Sequence, residues 1–251
     1  MVATLAEVAP EGILLAGGGR AILLQLAYPA IGRGVARHSD FDSRPLDRLH
    51  GTLAYVYALA NGTEADIAAV RQAVNRAHVP VRGDGYSAMD ARLQLWVAAT
   101  LYDSGTRVYE LVFGALDDAS ADRVYREYAR LGTELQMPAD LWPRDRAAFA
   151  TYFEATLGTL AVDEEVHDVA RKLLGRRPLV RFISVGLLPP RVRELFGYSW
   201  NDRDERRFAR LVHRSAAIYR VLPRWIRHAP QRLYLRRVRR RDAGLRRLRR
   251  R

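Results

Sequence analysis

Apolar residues recur along this chain at the spacing of an α-helix. Ile67, Val70 and Val74 lie three and four residues apart, which puts their side chains on one face of a helix. A longer apolar stretch from 93 to 113 has the same period. Strict alternation of apolar and polar positions, the pattern of a half-buried strand, is hard to find. The hydrophobic pattern therefore predicts an all-α fold.

Helix-capping and helix-breaking residues predict where individual helices begin and end. Thr63 and Asp66 form the pattern Thr-x-x-Asp, which predicts the start of the helix that carries His78. Pro80 predicts that this helix ends just after His78, because proline lacks the N–H group that a helix interior needs. Asn201 predicts the cap of another helix nearer the C-terminus.

Length and charge indicate one domain with an extension. The chain has 251 residues, within reach of one large domain, and no internal repeat or low-complexity linker divides it. Residues 203–251 contain 19 arginines and 3 acidic residues and carry +16, whereas the whole chain carries +13, so the rest carries −3. We predict a single compact helical domain over 1–200 and a basic helical extension over 201–251, packed on the domain or trailing from it.

The basic extension indicates an anionic partner. Tyr219, Trp225 and Tyr234 are interleaved with its arginines, as aromatic residues are at a membrane interface. An anionic membrane or an acidic protein partner suits this charge, and a solvated helix without a ligand is the alternative. Nucleic acid is disfavoured, because no zinc-finger, helix-turn-helix or RNA-binding aromatic pattern accompanies the arginines. His228 is expected to be solvated.

The composition excludes several chemistries. The chain has no cysteine, which excludes disulfides, thiolate metal sites, iron–sulfur clusters and a cysteine nucleophile. Neither a nucleophile elbow nor a phosphate-binding P-loop occurs. No signal-peptide pattern is present, and no stretch reaches the roughly 20 apolar residues of a membrane span. We therefore expect a cytoplasmic protein with peripheral membrane contact through the basic extension; the sequence leaves the oligomeric state open.

His78 is the most informative candidate functional residue. It follows Val74 by one helical turn, on the apolar face of its predicted helix. An imidazole in this position is either a buried histidine with locally satisfied ring nitrogens or an axial ligand to a flat apolar cofactor such as haem. Position alone favours the first interpretation.

Eight short motifs around His78 occur together in the chain. They are GGRAILLQLAYP at 18–29, GVARHSDF at 34–41, RLHGT at 48–52, HVPVRG at 78–83, YSAMD at 86–90, LWVAATL at 95–101, ELQMP at 134–138 and WP at 142–143. In this order they resemble the DUF2236 family over about residues 11–175. That family includes the latex-clearing rubber oxygenases and the mycophenolic-acid-pathway oxygenase.

The resemblance implies a globin-like helical domain that holds a haem b iron. His78 matches the family's iron-binding histidine, so we predict it as the metal ligand. Arg48 and Thr52 match an arginine and a threonine near the haem pocket, and they share one helix face because they are four residues apart. We predict both as catalytic and Arg48 also as a cofactor contact. The alternatives are an ion pair of Arg48 with Asp42 or Asp47 and a packing role for Thr52.

Other residues of the motifs complete the predicted haem site. Arg37, His38 and Arg82 are expected to reach a haem propionate, since a buried carboxylate needs cationic partners. Trp96 is expected to form part of the apolar wall around the cofactor.

Three positions depart from the pattern of the family. Tyr28 stands before Pro29 where many members have histidine, and Ala98 also replaces a frequent histidine. Gly51 stands in the segment where the rubber oxygenases have a lysine after the arginine. Tyr28 is a candidate catalytic residue, as a hydrogen-bond donor to oxygen or a phenolate ligand, and packing is the simpler alternative.

Two functional hypotheses follow. The first is a haem b-dependent oxygenase that acts with O2 on a small apolar substrate, an alkene or an isoprenoid-like chain. The second is a non-catalytic helical protein whose arginine-rich tail binds an anionic membrane or an acidic partner.

Overall fold

The computed structural model describes residues 2–38, 47–175 and 177–248. Within them the chain is almost entirely helical, and its strands are limited to an antiparallel hairpin of β1 (Arg82–Gly83) and β2 (Tyr86–Ser87). The predicted all-α fold is confirmed.

The helices follow one another with short connections. Those of the first part are α1 (Leu5–Val8), a 3₁₀ helix (Gly12–Gly17), α2 (Gly18–Leu26), α3 (Pro29–His38), α4 (Asp47–Asn61), α5 (Glu64–His78) and α6 (Ala91–Phe113). Those of the second part are α7 (Asp118–Tyr128), α8 (Arg130–Thr133), a 3₁₀ helix (Ala139–Leu141), α9 (Arg146–Thr159), α10 (Glu164–Leu174), α11 (Pro178–Leu187), α12 (Pro190–Leu195), α13 (Asp202–Val221), α14 (Arg224–Arg227) and α15 (Ala229–Leu248).

The predicted helix caps are confirmed. At the start of α5, Thr63 Oγ1 accepts a hydrogen bond from the Asp66 N–H at 3.2 Å, and Asp66 Oδ2 accepts one from the Thr63 N–H at 3.0 Å. The side chain of Asn201 accepts hydrogen bonds from two backbone N–H groups in the first turn of α13. These bonds satisfy N–H groups that have no partner inside the helix, so the sequence alone locates them.

The core forms around α6, with α2 packed along it. Trp96 and Thr100 of α6 are fully buried. Their polar atoms are paired with α2, because the Trp96 indole N–H donates to the Leu24 carbonyl at 3.1 Å and the Gln25 amide donates to the Thr100 hydroxyl at 2.9 Å. These contacts hold α2 and α6 in one relative position, because a buried polar group without a partner is costly.

Among the described helices, none is by itself long and apolar enough to span a membrane. The helices Gly12–Leu26 and Pro29–Arg37, which are bent by 103° relative to each other, are long and apolar enough for a membrane span only when taken together. In this fold, Leu23, Leu24 and Leu26 of that pair are buried in the core.

The basic C-terminal helices lie on the body of the protein. Helix α13 packs against α6 and α11, and α15 packs against α4 and α5. Leu235 of α15 is buried, and the Tyr234 ring lies 5.7 Å from Tyr57 and 5.9 Å from His50, between ring centroids. Two bonds from the Arg239 guanidinium, at 2.9 and 3.1 Å, reach Asp66 Oδ2 at the start of α5. Domain boundaries at 200/201 remain a prediction.

Asp66 joins the cap of α5 to the C-terminal helix, and its removal has a predictable effect on stability. Its side chain is buried, and burial alone would raise its pKa, but hydrogen bonds from Arg239 and Thr63 outweigh burial and lower the pKa. Asp66→Ala is expected to cost about 1–3 kcal/mol of unfolding free energy at neutral pH, measured by urea denaturation.

The cost of Asp66→Ala should depend on pH. A carboxyl whose pKa is lower in the folded than in the unfolded state stabilises the fold above the unfolded pKa, and this contribution is lost as the pH falls through the folded pKa. The difference between wild type and variant should therefore shrink in acid. Asp140→Ala, at an exposed acid, is the control and should change little. An Asp66→Ala cost that stays constant down to strongly acidic pH contradicts this interpretation.

Candidate functional site

The helical hairpin of α4 and α5 brings the main predicted site residues to one end of the fold. Helix α4 ends at Asn61 and α5 begins at Glu64, so a two-residue connection makes them antiparallel neighbours in contact. Because both helices rise by the same distance per residue, position 48 near the start of α4 lies at the level of position 77. Position 77 is one residue before His78, the last residue of α5. The backbone of Arg48 lies in α4, but its side chain lies outside the described residues.

His78 lies where the core meets the surface. It is the last residue of α5 and is half-buried, with Nδ1 turned into the protein. Val74, one turn earlier, packs against the main core, whereas Val79 is exposed. Thr52 is half-buried on α4. The environment of His78 is therefore apolar on one side and open on the other.

Helix α3 meets the strand hairpin that follows His78. A Cβ atom on Gly34 would lie 3.3 Å from the Tyr86 ring and 3.6 Å from Val81. Arg37, three residues after Gly34, and Arg82 on β1 are both exposed. Arg37 therefore lies on the helix that packs against the strand hairpin containing Arg82, and this hairpin begins four residues after His78. His38 closes α3, and its side chain lies outside the described part of the chain.

Arg33 is a candidate site residue that the sequence did not single out. It is half-buried, and its Nε atom is buried without a hydrogen-bond partner among the described residues. One of its terminal nitrogens lies 3.8 Å from the place of a Cβ on Gly85 in the strand hairpin. A buried guanidinium nitrogen without a partner is costly unless an anion or water completes it. The available signal was its spacing of four residues from Arg37, which puts both arginines on one face of α3.

Tyr28 and Trp96 lie together at the other end of α3. Their ring centroids are 6.2 Å apart, and the Trp96 ring also contacts Phe153 at 5.2 Å and Tyr152 at 6.4 Å. Burial raises the pKa of Tyr152 to about 12, so its phenol is neutral. Along α3, Tyr28 is about 9 Å from the level of Gly34, at 1.5 Å per residue. The structure therefore separates Tyr28 and Trp96 from the residues beside the strand hairpin.

The kinds of side chain near His78 limit which metal group they could hold. Within the described residues, no group of three or more histidine, cysteine, aspartate or glutamate side chains is arranged to hold a metal ion. A haem needs one strong protein ligand, because the porphyrin supplies four nitrogens itself, together with apolar walls and cations for its carboxylates. All three kinds of group occur here. His78 is the candidate ligand, Val81 and Tyr86 are candidates for the walls, and the arginines of α3 are the candidate cations.

Comparison with known proteins identifies the family of the chain. A family model described as the catalytic domain of the ER-bound oxygenase mpaB/B' and rubber oxygenase matches residues 6–217. Two mycobacterial proteins, uncharacterized protein Mb2261 of Mycobacterium bovis and uncharacterized protein Rv2237 of Mycobacterium tuberculosis, are each 36% identical over 228 residues, covering 82% of this chain and 89% of theirs. No solved structure matches the chain. The protein therefore belongs to the family of mpaB/B' and rubber oxygenase catalytic domains.

Proposed function

We propose that this protein is a haem b-dependent oxygenase that acts with O2 on a small apolar substrate. Its family consists of oxygenase catalytic domains, which supports an oxygenase that uses O2 and a second substrate. The single observation that supports the haem is Arg33, whose buried Nε lacks a partner among the described residues and whose side chain lies beside the strand hairpin that follows His78. Haem, when bound, supplies the redox chemistry that activates O2.

The proposed cofactor contacts divide by chemistry. His78 is the iron ligand, because an imidazole at the edge of the core is a strong neutral donor within reach of a buried cofactor. Arg33 and Arg37 of α3, with Arg82 of β1, bind the propionates through charge-assisted hydrogen bonds. His38 is proposed as a further propionate contact.

Two of the three proposed catalytic groups lie on α4. Positions 48 and 52 share one helix face, and from there the Thr52 hydroxyl and the Arg48 guanidinium would orient O2 by hydrogen bonding. They would also stabilise negative charge that develops on oxygen, an effect that becomes stronger where water is excluded. Tyr28 and Trp96 are proposed to act from the far end of α3, Trp96 as an apolar wall and Tyr28 as a hydrogen-bond donor.

An apolar substrate follows from the side chains around these groups. Val81 and Tyr86 lie beside Gly34 of α3, and Val74 lies one helical turn before the proposed iron ligand; these side chains offer few polar partners to a substrate. Moving a hydrocarbon from water into this apolar environment is favourable, whereas a charged substrate would lose its hydration there. We propose an alkene or an isoprenoid-like chain.

Haem titration tests the proposed function. Purified protein should bind one haem per chain, with a Soret band that saturates, and should then consume O2 when an isoprenoid alkene such as squalene is added. Arg33→Gln should weaken haem binding about tenfold, because it removes a charge-assisted hydrogen bond from a buried carboxylate.

Arg144→Gln is the matched control, since Arg144 is highly exposed and pairs with its neighbour Asp145. It should leave the haem affinity unchanged. A wild-type protein that binds no haem contradicts the proposed function. Equal haem affinities of wild type and Arg33→Gln contradict the role of Arg33 alone.

A further inference from the structure

Four apolar side chains are exposed together where α13 turns into α14. Ile218 is 64% exposed, Val221 80%, Trp225 65% and Ile226 38%. We call residues 218–226 the α13–α14 corner. Single exposed apolar residues are ordinary, but a contiguous group usually marks an interaction surface.

The corner is held in place by partly buried polar contacts on its inner side. The Tyr219 hydroxyl accepts a hydrogen bond from the Ile13 N–H at 3.1 Å and donates one to Glu11 at 3.0 Å. Glu11 also contacts Arg227 at 3.3 Å and His228 at 3.1 Å. Because these contacts face the protein, Val221 and Trp225 on the outer side are presented to solvent in a fixed arrangement.

Positive charge surrounds the corner. No acidic residue occurs between Glu205 and Asp242. Arg214, Arg220 and Arg224 are exposed and form no salt bridge with a described residue. In addition, the exposed Arg232 donates a hydrogen bond to the Trp225 carbonyl, so its charge also lies at the corner.

A cleft of about 470 Å³ lies beside the corner. Arg220, Arg224 and Arg227 line it together with Glu7 and Glu11. Glu11 is engaged by Arg227, and Glu7 accepts hydrogen bonds from Thr4 at the start of α1. The arginines outnumber the carboxylates, so the cleft is suited to an anionic group.

The chemistry of the corner distinguishes between possible occupants. A nucleic acid would satisfy the arginines but offers no apolar phase for Ile218 and Val221. Two corners of identical chains would bring their arginines face to face, which like-charge repulsion opposes. An anionic bilayer supplies both partners, since phosphates lie above a hydrocarbon boundary where tryptophan is favoured.

We propose that the α13–α14 corner docks the protein on the surface of an anionic phospholipid bilayer. Val221 and Trp225 enter the interface between headgroups and acyl chains, and Arg220 and Arg224 contact lipid phosphates. This proposal does not depend on haem binding, because none of these residues belongs to the proposed haem site.

Vesicle co-sedimentation of the full chain tests the proposal. The wild type should bind vesicles that contain phosphatidylserine or phosphatidylglycerol and should bind pure phosphatidylcholine poorly. The double variant Val221→Ser, Trp225→Ser should bind anionic vesicles at least about tenfold more weakly, because two apolar side chains no longer leave water. Arg220→Gln and Arg224→Gln should each weaken binding about fivefold at low salt.

The matched control places the same loss of apolar surface elsewhere. Leu179→Ser, Val180→Ser changes two exposed apolar residues of α11 and should leave vesicle binding unchanged. The proposal is overturned if wild type does not bind anionic vesicles, or if the corner double variant binds as well as wild type. It is also overturned if the corner variant instead abolishes a concentration-dependent dimer, or if duplex DNA displaces the vesicles with higher affinity.

Discussion

His78→Ala is expected to abolish stable haem binding and with it the consumption of O2. The alanine side chain has no donor atom for iron, and the described residues offer no cluster of three or more histidine, cysteine, aspartate or glutamate side chains that could hold the metal instead. The Soret band of the wild-type protein should therefore be absent or weak and displaced in the variant. Absorption spectra of both proteins after haem titration measure this, and circular dichroism checks that the helices remain.

Two comparisons separate a ligand role of His78 from a packing role. His213→Ala changes an exposed histidine of α13 and should keep the full Soret band. Imidazole added to His78→Ala should restore part of the band, because it can occupy the space left by the side chain and bind iron. If the variant binds haem as tightly as wild type, with an unchanged spectrum, His78 is not the ligand.

Trp96→Ala is expected to destabilise the protein by about 3–5 kcal/mol, the usual cost of removing a large buried aromatic ring. Trp96 is fully buried between Tyr28, Tyr152 and Phe153, and its indole N–H bonds to the Leu24 carbonyl. The variant loses this packing and leaves the carbonyl without its donor. The midpoint of urea unfolding measures the effect. The expected loss is a large part of the total unfolding free energy of a typical domain.

Trp225→Ala is the matched control for Trp96→Ala. Both changes remove an indole, but Trp225 is 65% exposed at the α13–α14 corner. Its substitution should change the unfolding free energy by no more than about 0.5 kcal/mol. Similar costs for the two variants would show that the burial of Trp96 does not govern its contribution.

Much of the local structure follows from the sequence. The start of α5 follows from Thr63 and Asp66, and Pro80 sets its end near His78. The caps are made by side chains within three residues of the groups that they satisfy, so a short window of sequence contains all the information. The same is true of the helical periods that predict α5 and α6. His78 could therefore be located at the end of a helix before any tertiary contact was known.

The contacts made by the C-terminal helices could not be predicted in this way. The prediction that His228 is solvated is wrong. Its Nε2 lies 3.1 Å from the buried Glu11, which is 217 positions earlier in the chain. Tyr219 bonds to the same carboxylate, and Tyr234 packs on His50 and Tyr57. Of the three interleaved aromatic residues, only Trp225 is exposed to the extent that a membrane contact requires.

The sequence by itself determined the helical class, the limits of α5, the start of α13, the family motifs and the concentration of arginine near the C-terminus. These features depend on hydrogen bonds and side-chain periods within a few residues. Only the tertiary structure decided that Arg33 has a buried nitrogen beside the strand hairpin, and that Asp66 and Glu11 each fix a C-terminal helix to the body. Such pairings depend on how whole helices pack and in which register, and that is set by the shape of the entire core.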